Sequence, residues 1–142
     1  MKAKKIIESP MTYVLIFDSG DEVCSQLLDF ARSHSIKAAS FTALGAFESC
    51  VLGYFDWQTK TYKKIPIKQQ AELLSLIGNL AEGDDGPKMH AHAVVGLSDA
   101  TTRGGHLVSA KVRPTLEVTL VEAKAPLVRK IDAETGLPLV RL

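Results

Sequence analysis

The sequence predicts a single domain of the α/β class in its α+β form, in which strands dominate and helices are few. At 142 residues the chain has the length of one domain and can bury roughly two-thirds of its unfolded surface. Its hydrophobic content of 46% supplies a core for such a domain. Most apolar segments have the pattern of strands, and one has the spacing of an amphipathic helix. No internal repeat, low-complexity tract or linker divides the chain, so we expect residues 1–142 to form one compact domain.

The first third of the chain predicts a strand and then a helix. Residues 13–17, YVLIF, are a continuous run of β-forming residues, as expected of a strand that is buried on both faces. Residues 21–34 place apolar side chains at helical spacing, with acidic residues in the first turn and Arg32 in the last. We expect His34 to cap the end of this helix or to face solvent.

The middle of the chain predicts further strands. Alternation and β-forming residues favour strands that are joined by turns around residues 45–49 and 57–61. These strands cover residues 38–44, 50–55 and 62–67. Residues 69–80 fit either a helix or a strand, but the strong turn EGDDGP at 82–87 follows them directly. We therefore expect residues 69–80 to form a hairpin with the segment after the turn.

The last third predicts strands that are separated by turns. The strand at residues 107–112 is expected to be broken by Arg113–Pro114, since proline lacks a backbone N–H. Residues 115–121 alternate apolar and polar side chains, which is the pattern of a half-buried strand. Residues 128–142 predict a short terminal strand with a turn at 133–136.

The charge balance argues against a protein built mainly to hold nucleic-acid backbones. Lys and Arg number 17 and Asp and Glu number 16, so the net charge is +1, whereas phosphate binding favours a clear basic excess. We expect Lys2, Lys4 and Lys5 to form a solvated tail. A second group of lysines fits a charged edge strand that resists aggregation, or an edge that faces an anion or a partner. This group comprises Lys63, Lys64 and Lys68.

Cysteine content and hydropathy bear on the compartment. The two cysteines, Cys24 and Cys50, do not form the disulfide framework of a secreted protein, and we expect each to be a small buried hydrophobe. The N-terminus lacks the apolar core of a signal peptide, and no apolar run has membrane-spanning length. We therefore expect a soluble, cytoplasmic protein without a membrane partner.

The candidate functional residues are three histidines between residues 88 and 107. His90 and His92 are separated by one residue, and alternate residues of a strand point to the same face. Asp99 lies midway between His92 and His106, so a hairpin folded about it would place His106 directly opposite His92. Three neutral imidazoles that converge in this way form the ligand set of an open zinc site, with a fourth position for water or a small ligand.

This arrangement depends on the pairing register. A slip of one residue would turn His106 to the opposite face of the sheet. A bulge at Gly104 or Gly105 could restore or spoil the geometry. The alternative is that the three histidines are hydrogen-bonded side chains of a half-buried sheet and hold no metal.

Motifs for other chemistry are absent from the sequence. It contains no Gly-x-Ser-x-Gly elbow, no Gly-x-x-x-x-Gly-Lys, no Gly-x-Gly-x-x-Gly and no Cys-x-x-Cys pair. If the histidine site is catalytic, zinc would lower the pKa of bound water toward about 7 and support hydrolytic or lyase chemistry. Such chemistry needs an acid or base, for which Glu72 and Glu117 are the candidates. Each of them also fits a surface or paired carboxylate.

Four segments resemble the PPC family, the plant and prokaryote conserved domain. They are ALGAFESCVLGYFD at 43–56, ELLSLIGNLAEGDDGPKMHAHAVVGLSD at 72–99, GGHL at 104–107 and ETGLPL at 134–139. The resemblance implies a compact domain with an antiparallel sheet and few helices that assembles as a homotrimer. It also implies a DNA-binding or regulatory role. The Arg-Gly-Arg-Pro core with which plant members grip the minor groove is absent from this sequence.

The PPC fold is similar to that of acetolactate decarboxylase, which holds zinc with a His-x-His pair and a later histidine. By position His90, His92 and His106 match that pattern, whereas the other catalytic residues of the decarboxylase are not evident here. The resemblance therefore implies a homotrimeric DNA-binding or regulatory protein with a three-histidine zinc site and room for a small ligand at the metal. The alternatives are a zinc-dependent lyase or hydrolase that acts on a small carbonyl or ester substrate, and a structural oligomer without chemistry.

Overall fold

The computed structural model describes residues 1–8 and 10–141, and for residues 3–8 it describes the backbone alone. Within these residues one domain forms, with nine strands and one helix. In chain order the elements are β1 (Lys2–Glu8), β2 (Met11–Asp18), α1 (Val23–Ser33), β3 (Ala38–Asp56), β4 (Thr61–Ile67), β5 (Ala71–Gly83), β6 (Gly86–Gly96), β7 (Thr102–Glu122), β8 (Val128–Ile131) and β9 (Pro138–Arg141). The described strand pairs are antiparallel, except for one parallel contact between β5 and β8. The predicted fold of mostly antiparallel sheet with few helices is confirmed, and the parallel contact makes the sheet mixed.

Two long strands, β3 and β7, organise the sheet. They pair with each other, and each also pairs with further strands: β3 with β4 and β5, and β7 with β2 and β6. Because β6 pairs with both β5 and β7, the strands β3, β5, β6 and β7 close into a ring of paired neighbours. The histidine-bearing strands β6 and β7 are adjacent in this ring.

The turn expected at residues 45–49 is wrong, because β3 continues through these residues. Gly45 has φ of 146°, and a methyl group there would collide with the backbone of Thr115 and Leu116. The pairing register between β3 and β7 shifts on both sides of Phe47. These irregularities bend the strand while its pairing continues, and local turn signals do not distinguish a bulge from a loop.

The break expected at Arg113–Pro114 is also wrong, because β7 continues past it. Leu116 pairs with Gly45 and Val112 pairs with Phe47, so three residues of β7 stand opposite one residue of β3. The proline lies in this irregular part, where its missing N–H interrupts no regular pair.

The N-terminal lysines do not form a solvated tail, because the backbone of β1 pairs along β2. Unpaired strand edges expose backbone hydrogen-bonding groups, and β1 covers that edge of β2. The side chains of Lys4 and Lys5 lie outside the described residues. Lys2 is exposed, and its Nζ lies 3.8 Å from a carboxylate oxygen of Asp18.

The predicted helix is confirmed, and one carboxylate fastens it to the sheet. Glu22 caps the start of α1 by accepting the Ser25 N–H at 2.7 Å, and its other oxygen accepts the Ala110 N–H of β7 at 3.1 Å. His34 ends the helix, as expected: its N–H donates to the carbonyl oxygen of Phe30 at 3.1 Å, and the two rings stack at 4.0 Å. The helix residues buried against the sheet are Val23, Leu27, Phe30 and Ala31.

The other predicted elements are present. Residues 69–80 contribute to strand β5, which turns tightly into β6, and residues 128–142 contain the hairpin of β8 and β9. Residues 115–121 alternate between buried and exposed side chains.

Both cysteines pack as apolar side chains. Cys50 is buried, and Cys24 is partly buried against the core. Burial raises the pKa of the Cys50 thiol to about 11. Burial, with the nearby charge of Glu22, raises the pKa of Cys24 to about 12. Among the described residues, no helix has the length and apolar character needed to cross a membrane.

Candidate metal centre

The three histidines lie on one face of the sheet. His92 pairs directly with His106 across the β6–β7 hairpin, in the register that the sequence predicts. The neighbouring pairs through Gly104 and Gly105 continue this register without a shift, so the glycines do not turn His106 away. Along β6, Ala91 and Ala93 point into the core while His90 and His92 point to the other face. Strand alternation alone therefore brings the three rings together.

The distances between the rings suit a metal site. The Nε2 atoms of His90 and His92 are 3.2 Å apart, close to the separation of about 3.4 Å for two nitrogens bound to one tetrahedral zinc. The ring centroid of His106 is 5.2 Å from that of His90 and 5.7 Å from that of His92. One nitrogen from each of the three rings falls within 4.8 Å of the other two. Closure around one ion would bring nitrogens that are now up to 4.8 Å apart to about 3.4 Å from each other.

Burial keeps two of these imidazoles in the form that binds metals. Burial lowers the pKa of His106 to about 4, with further contributions from the charges of His90, His92 and Arg129. Burial likewise lowers the pKa of His90, followed by the charges of His92 and Arg129. Neutral imidazoles offer lone pairs to a metal at pH 7. Within the described residues, Nδ1 of His106 is buried without a hydrogen-bond partner, so the cluster also contains an unsatisfied polar atom.

An aromatic ring supports the third histidine. Tyr62 of β4 lies against His106, with ring centroids 4.8 Å apart and planes inclined by 31°. Gly53 of β3 pairs with His106, and a methyl group at Gly53 would lie 2.9 Å from Cδ1 of Tyr62. The absence of a side chain at Gly53 therefore leaves the space in which the two rings meet. Burial raises the pKa of the Tyr62 hydroxyl.

A cavity of about 130 Å³ adjoins two of the histidines. His90 and His106 form part of its wall, together with Tyr62 and Arg129. The C-terminal hairpin supplies the far wall with residues 137–139. The cluster therefore borders a partly open cavity that is large enough for a small molecule.

The two carboxylates that the sequence offered as acid or base lie elsewhere. Glu72 is exposed and pairs with Gly96, whereas His92 pairs with Ile77 further along β5. Glu117 is exposed and eleven residues from His106 on the same strand, a separation on the order of 30 Å. Within one chain the structure brings neither carboxylate to the histidines.

Sequence reasoning missed three residues that surround the cluster. Tyr62 and Arg129 line the cavity, and Asn79 pairs with His90 and accepts a hydrogen bond from Arg129. The glycine at position 53, opposite His106, leaves room for an aromatic ring. The sequence does not indicate which aromatic residue occupies that room. Nothing in the local pattern around Arg129 indicates a place at this site.

The family model of the Plants and Prokaryotes Conserved (PCC) domain matches residues 7–124. The chain belongs to this family. The match confirms the resemblance drawn from the sequence, where the family is written PPC. A search of curated proteins found no match to this PCC-domain chain.

Three solved structures share the fold over more than nine-tenths of both chains. A protein from Bacteroides thetaiotaomicron described as a "putative dna binding protein" is 26% identical, with a TM-score of 0.92 over 99% of this chain and 96% of that one. A PPC protein from Pyrococcus horikoshii is 33% identical, with a TM-score of 0.87 over 92% and 91% of the two chains. A metal-containing protein from Archaeoglobus fulgidus is 35% identical, with a TM-score of 0.85 over 92% and 93%.

The similarity to acetolactate decarboxylase is one of fold. The Bacillus subtilis enzyme is 12% identical, with a TM-score of 0.57 over 89% of this PCC-domain chain and 58% of the enzyme. The predicted fold relationship is confirmed at this level, and an identity so low carries nothing about activity.

Proposed function

We propose that this PCC-domain protein is a regulatory metal-binding protein that holds zinc through His90, His92 and His106. The observation that carries the proposal is the convergence of three ring nitrogens within 4.8 Å on one face of the sheet. Three nitrogen ligands with an open fourth position are the typical set of an accessible zinc site. When bound, zinc supplies a Lewis acid that polarises a ligand oxygen or acidifies a water. The neighbour from Archaeoglobus fulgidus, described as metal-containing, supports a metal in this fold.

Elemental analysis tests the metal proposal. After zinc loading at pH 7.5 and removal of free metal, about one zinc per chain is expected in the wild-type protein. His90→Ala removes one ligand and is expected to lose the zinc. His34→Ala is the matched control, because His34 caps α1 outside the cluster and its loss leaves all three ligands in place. Wild-type protein without zinc, or His90→Ala with full zinc, would contradict the proposal.

We propose a homotrimer as the assembled state. Apolar side chains are exposed beside the histidine face: Leu74 by 57%, Ile77 by 64% and Val94 by 41%. Ile77 pairs directly with His92, so this surface adjoins the metal cluster. Exposed apolar patches of this kind are typical of protein–protein contacts.

Sedimentation equilibrium tests the assembly. The wild-type protein is expected at three times the mass of the chain. Ile77→Lys places a charge in the contact and is expected to dissociate it, whereas Ile131→Lys makes the same change at an equally exposed residue of β8. A wild-type monomer at every concentration, or dissociation by Ile131→Lys alone, would contradict a trimer built on this surface.

DNA binding is the second candidate function, because the Bacteroides neighbour carries that description and β4 presents a basic edge. Lys63, Lys64 and Lys68 are exposed on and just beyond this strand, which pairs only with β3 among the described strands. Lysines that neutralise phosphates release counterions, so binding weakens with salt by a slope of about −0.9 for each phosphate contacted. The net charge of +1 limits the expected affinity.

A salt titration of binding to duplex DNA tests this candidate. The double variant Lys63→Glu, Lys64→Glu is expected to weaken binding and to reduce the salt slope by about 2. The same change at Lys124 and Lys130, exposed on another part of the surface, is the control. If the wild-type protein shows no measurable affinity for duplex DNA at low salt, DNA binding is rejected as a function.

An enzymatic role is the alternative that the open metal position and the adjoining cavity favour. The reaction class is a zinc-dependent lyase or hydrolase that acts on a small carbonyl or ester compound. Zinc-loaded protein is screened against small keto acids and esters, with the triple histidine variant as control. Activity that survives replacement of all three histidines would refute the assignment.

A further inference from the structure

A buried arginine shares the cavity with the histidine cluster. Arg129 on β8 is only 5% exposed and lines the same space as His90 and His106. Arginine remains charged in proteins because its intrinsic pKa is so high. In the described part of the chain, no Asp or Glu carboxylate forms a salt bridge with it. A buried charge without a counter-charge is costly, so its retention calls for a compensating group.

Neutral acceptors hold Arg129 in place without neutralising it. Its Nη1 donates to the carbonyl oxygen of Pro138 at 2.8 Å, and its Nη2 donates to Oδ1 of Asn79. The Nε–H is buried without a hydrogen-bond partner among the described residues, and Nη1 and Nη2 each keep a second N–H. The planar guanidinium is therefore fixed in orientation and still has donors to offer, which is the preorganised state that favours binding of an anion.

The rest of the cavity wall is mainly apolar. Tyr62, Met89, Leu137 and Leu139 surround the polar groups. At about 130 Å³ the cavity has room for roughly four water molecules of about 30 Å³ each. The space suits a ligand of a few non-hydrogen atoms that has one anionic end and an apolar body.

We propose that this cavity binds a small organic carboxylate, with its anionic end on the guanidinium of Arg129 and its body against Tyr62 and the C-terminal hairpin. This inference rests on the proposed function, since the same cavity opens on the three-histidine metal centre and places the ligand beside the metal. Arginine binds carboxylates through paired N–H donors, and Nη1 and Nη2 each carry a second N–H besides the one donated to Pro138 or Asn79. The apolar walls favour a carboxylate with a hydrocarbon body over inorganic phosphate.

The experiment titrates butanoate into zinc-loaded and zinc-free protein by isothermal calorimetry, with inorganic phosphate as a parallel probe. The variant is Arg129→Gln. The control is Arg141→Gln, which makes the same change on the same hairpin at an exposed residue that pairs with Asp132. Circular dichroism and zinc content of every variant show whether the fold and the metal centre persist. In parallel, the side-chain Nε–H resonance of Arg129 in the wild-type protein is followed by NMR, so that one readout is independent of any substitution.

Binding of butanoate is expected to weaken about tenfold or more in Arg129→Gln and to stay within about twofold in Arg141→Gln. The Arg129 Nε–H resonance is expected to move on saturation, because the anion binds the same guanidinium. Equal affinity in wild type and Arg129→Gln, no butanoate binding to the wild type, an unmoved Nε–H resonance, or tighter binding of phosphate than of butanoate would each overturn the proposal. Zinc content reports separately on the metal: Arg129-dependent binding in protein that takes up no zinc retains the carboxylate site and removes the metal centre.

Discussion

Acidification of the metal-free protein is predicted to destabilise it through His106. In the folded protein, burial and the neighbouring charges of His90, His92 and Arg129 hold the pKa of His106 at about 4, whereas an unfolded histidine titrates near 6.5. Between these two values the unfolded chain binds a proton that the folded chain does not. The free energy of unfolding therefore falls as the pH falls from about 6.5 to about 4. Above about 6.5 the histidine is neutral in both states, and its contribution to stability is fully present.

The size of the effect follows from the gap between the two pKa values. At about 1.4 kcal/mol for each pH unit, the gap sets an upper bound of about 3 kcal/mol. His106 is half-buried, so solvent reaches part of the ring and screens its interactions. A loss of about 1–2 kcal/mol in the free energy of unfolding is the expected value.

Urea unfolding in the presence of a chelator, at pH 7 and at pH 4.5, measures this loss. Wild type and His106→Gln have the same carboxylates, so the difference between their pH dependences reports on His106 together with its coupling to His90 and His92. The variant is expected to lose about 1–2 kcal/mol less on acidification than the wild type. His34→Gln, outside the cluster, is expected to keep the wild-type pH dependence. If the free energy of unfolding depends on pH in the same way in wild type and His106→Gln, His106 is not held neutral in the folded state.

Three further predictions concern the helix anchor, the strand bulge and the histidine support. Glu22→Ala removes both the cap of α1 and the acceptor of the Ala110 N–H, so urea unfolding should show a loss of about 2 kcal/mol, and no loss would contradict the anchoring role. Gly45→Ala forces a methyl group against the backbone of Thr115 and should destabilise the protein by more than about 2 kcal/mol, while a neutral effect would show that the bulge relaxes freely. Tyr62→Ala should weaken zinc binding about tenfold by freeing the histidine ring beside it, Tyr62→Phe should retain the affinity, and equal affinities would deny the ring a supporting role.

The histidine cluster could be predicted because its geometry is local. One intervening residue sets His90 and His92 on the same face, and a hairpin of short span brings His106 opposite His92. The alternation of small buried residues with histidines along β6 supports the same register. Strand periodicity and hairpin length were therefore sufficient.

The surroundings of the cluster could not be predicted, because they come from distant parts of the chain. Tyr62 reaches His106 from β4, and Arg129 reaches the cavity from β8 near the C-terminus. Their arrival depends on how the strands are ordered in the sheet, which local periodicity does not encode.

Two strand boundaries were wrong for a shared physical reason. Glycine at position 45 and proline at position 114 are ordinary turn residues, and each was interpreted as the end of a strand. In the fold they stand close together in one irregular part of the β3–β7 pair, where Gly45 accommodates the backbone of β7 and the proline faces no regular partner. Long-range pairing of the two strands overrode the local preference for a turn.

A zinc-edge anomalous difference map from crystals of the zinc-loaded protein tests the three-histidine centre most directly. One strong peak is predicted at about 2.0–2.1 Å from a ring nitrogen of each of His90, His92 and His106, with its fourth position open to the adjoining cavity. Zinc bound only at other side chains, or no peak at the three histidines in zinc-soaked crystals, would contradict the metal centre.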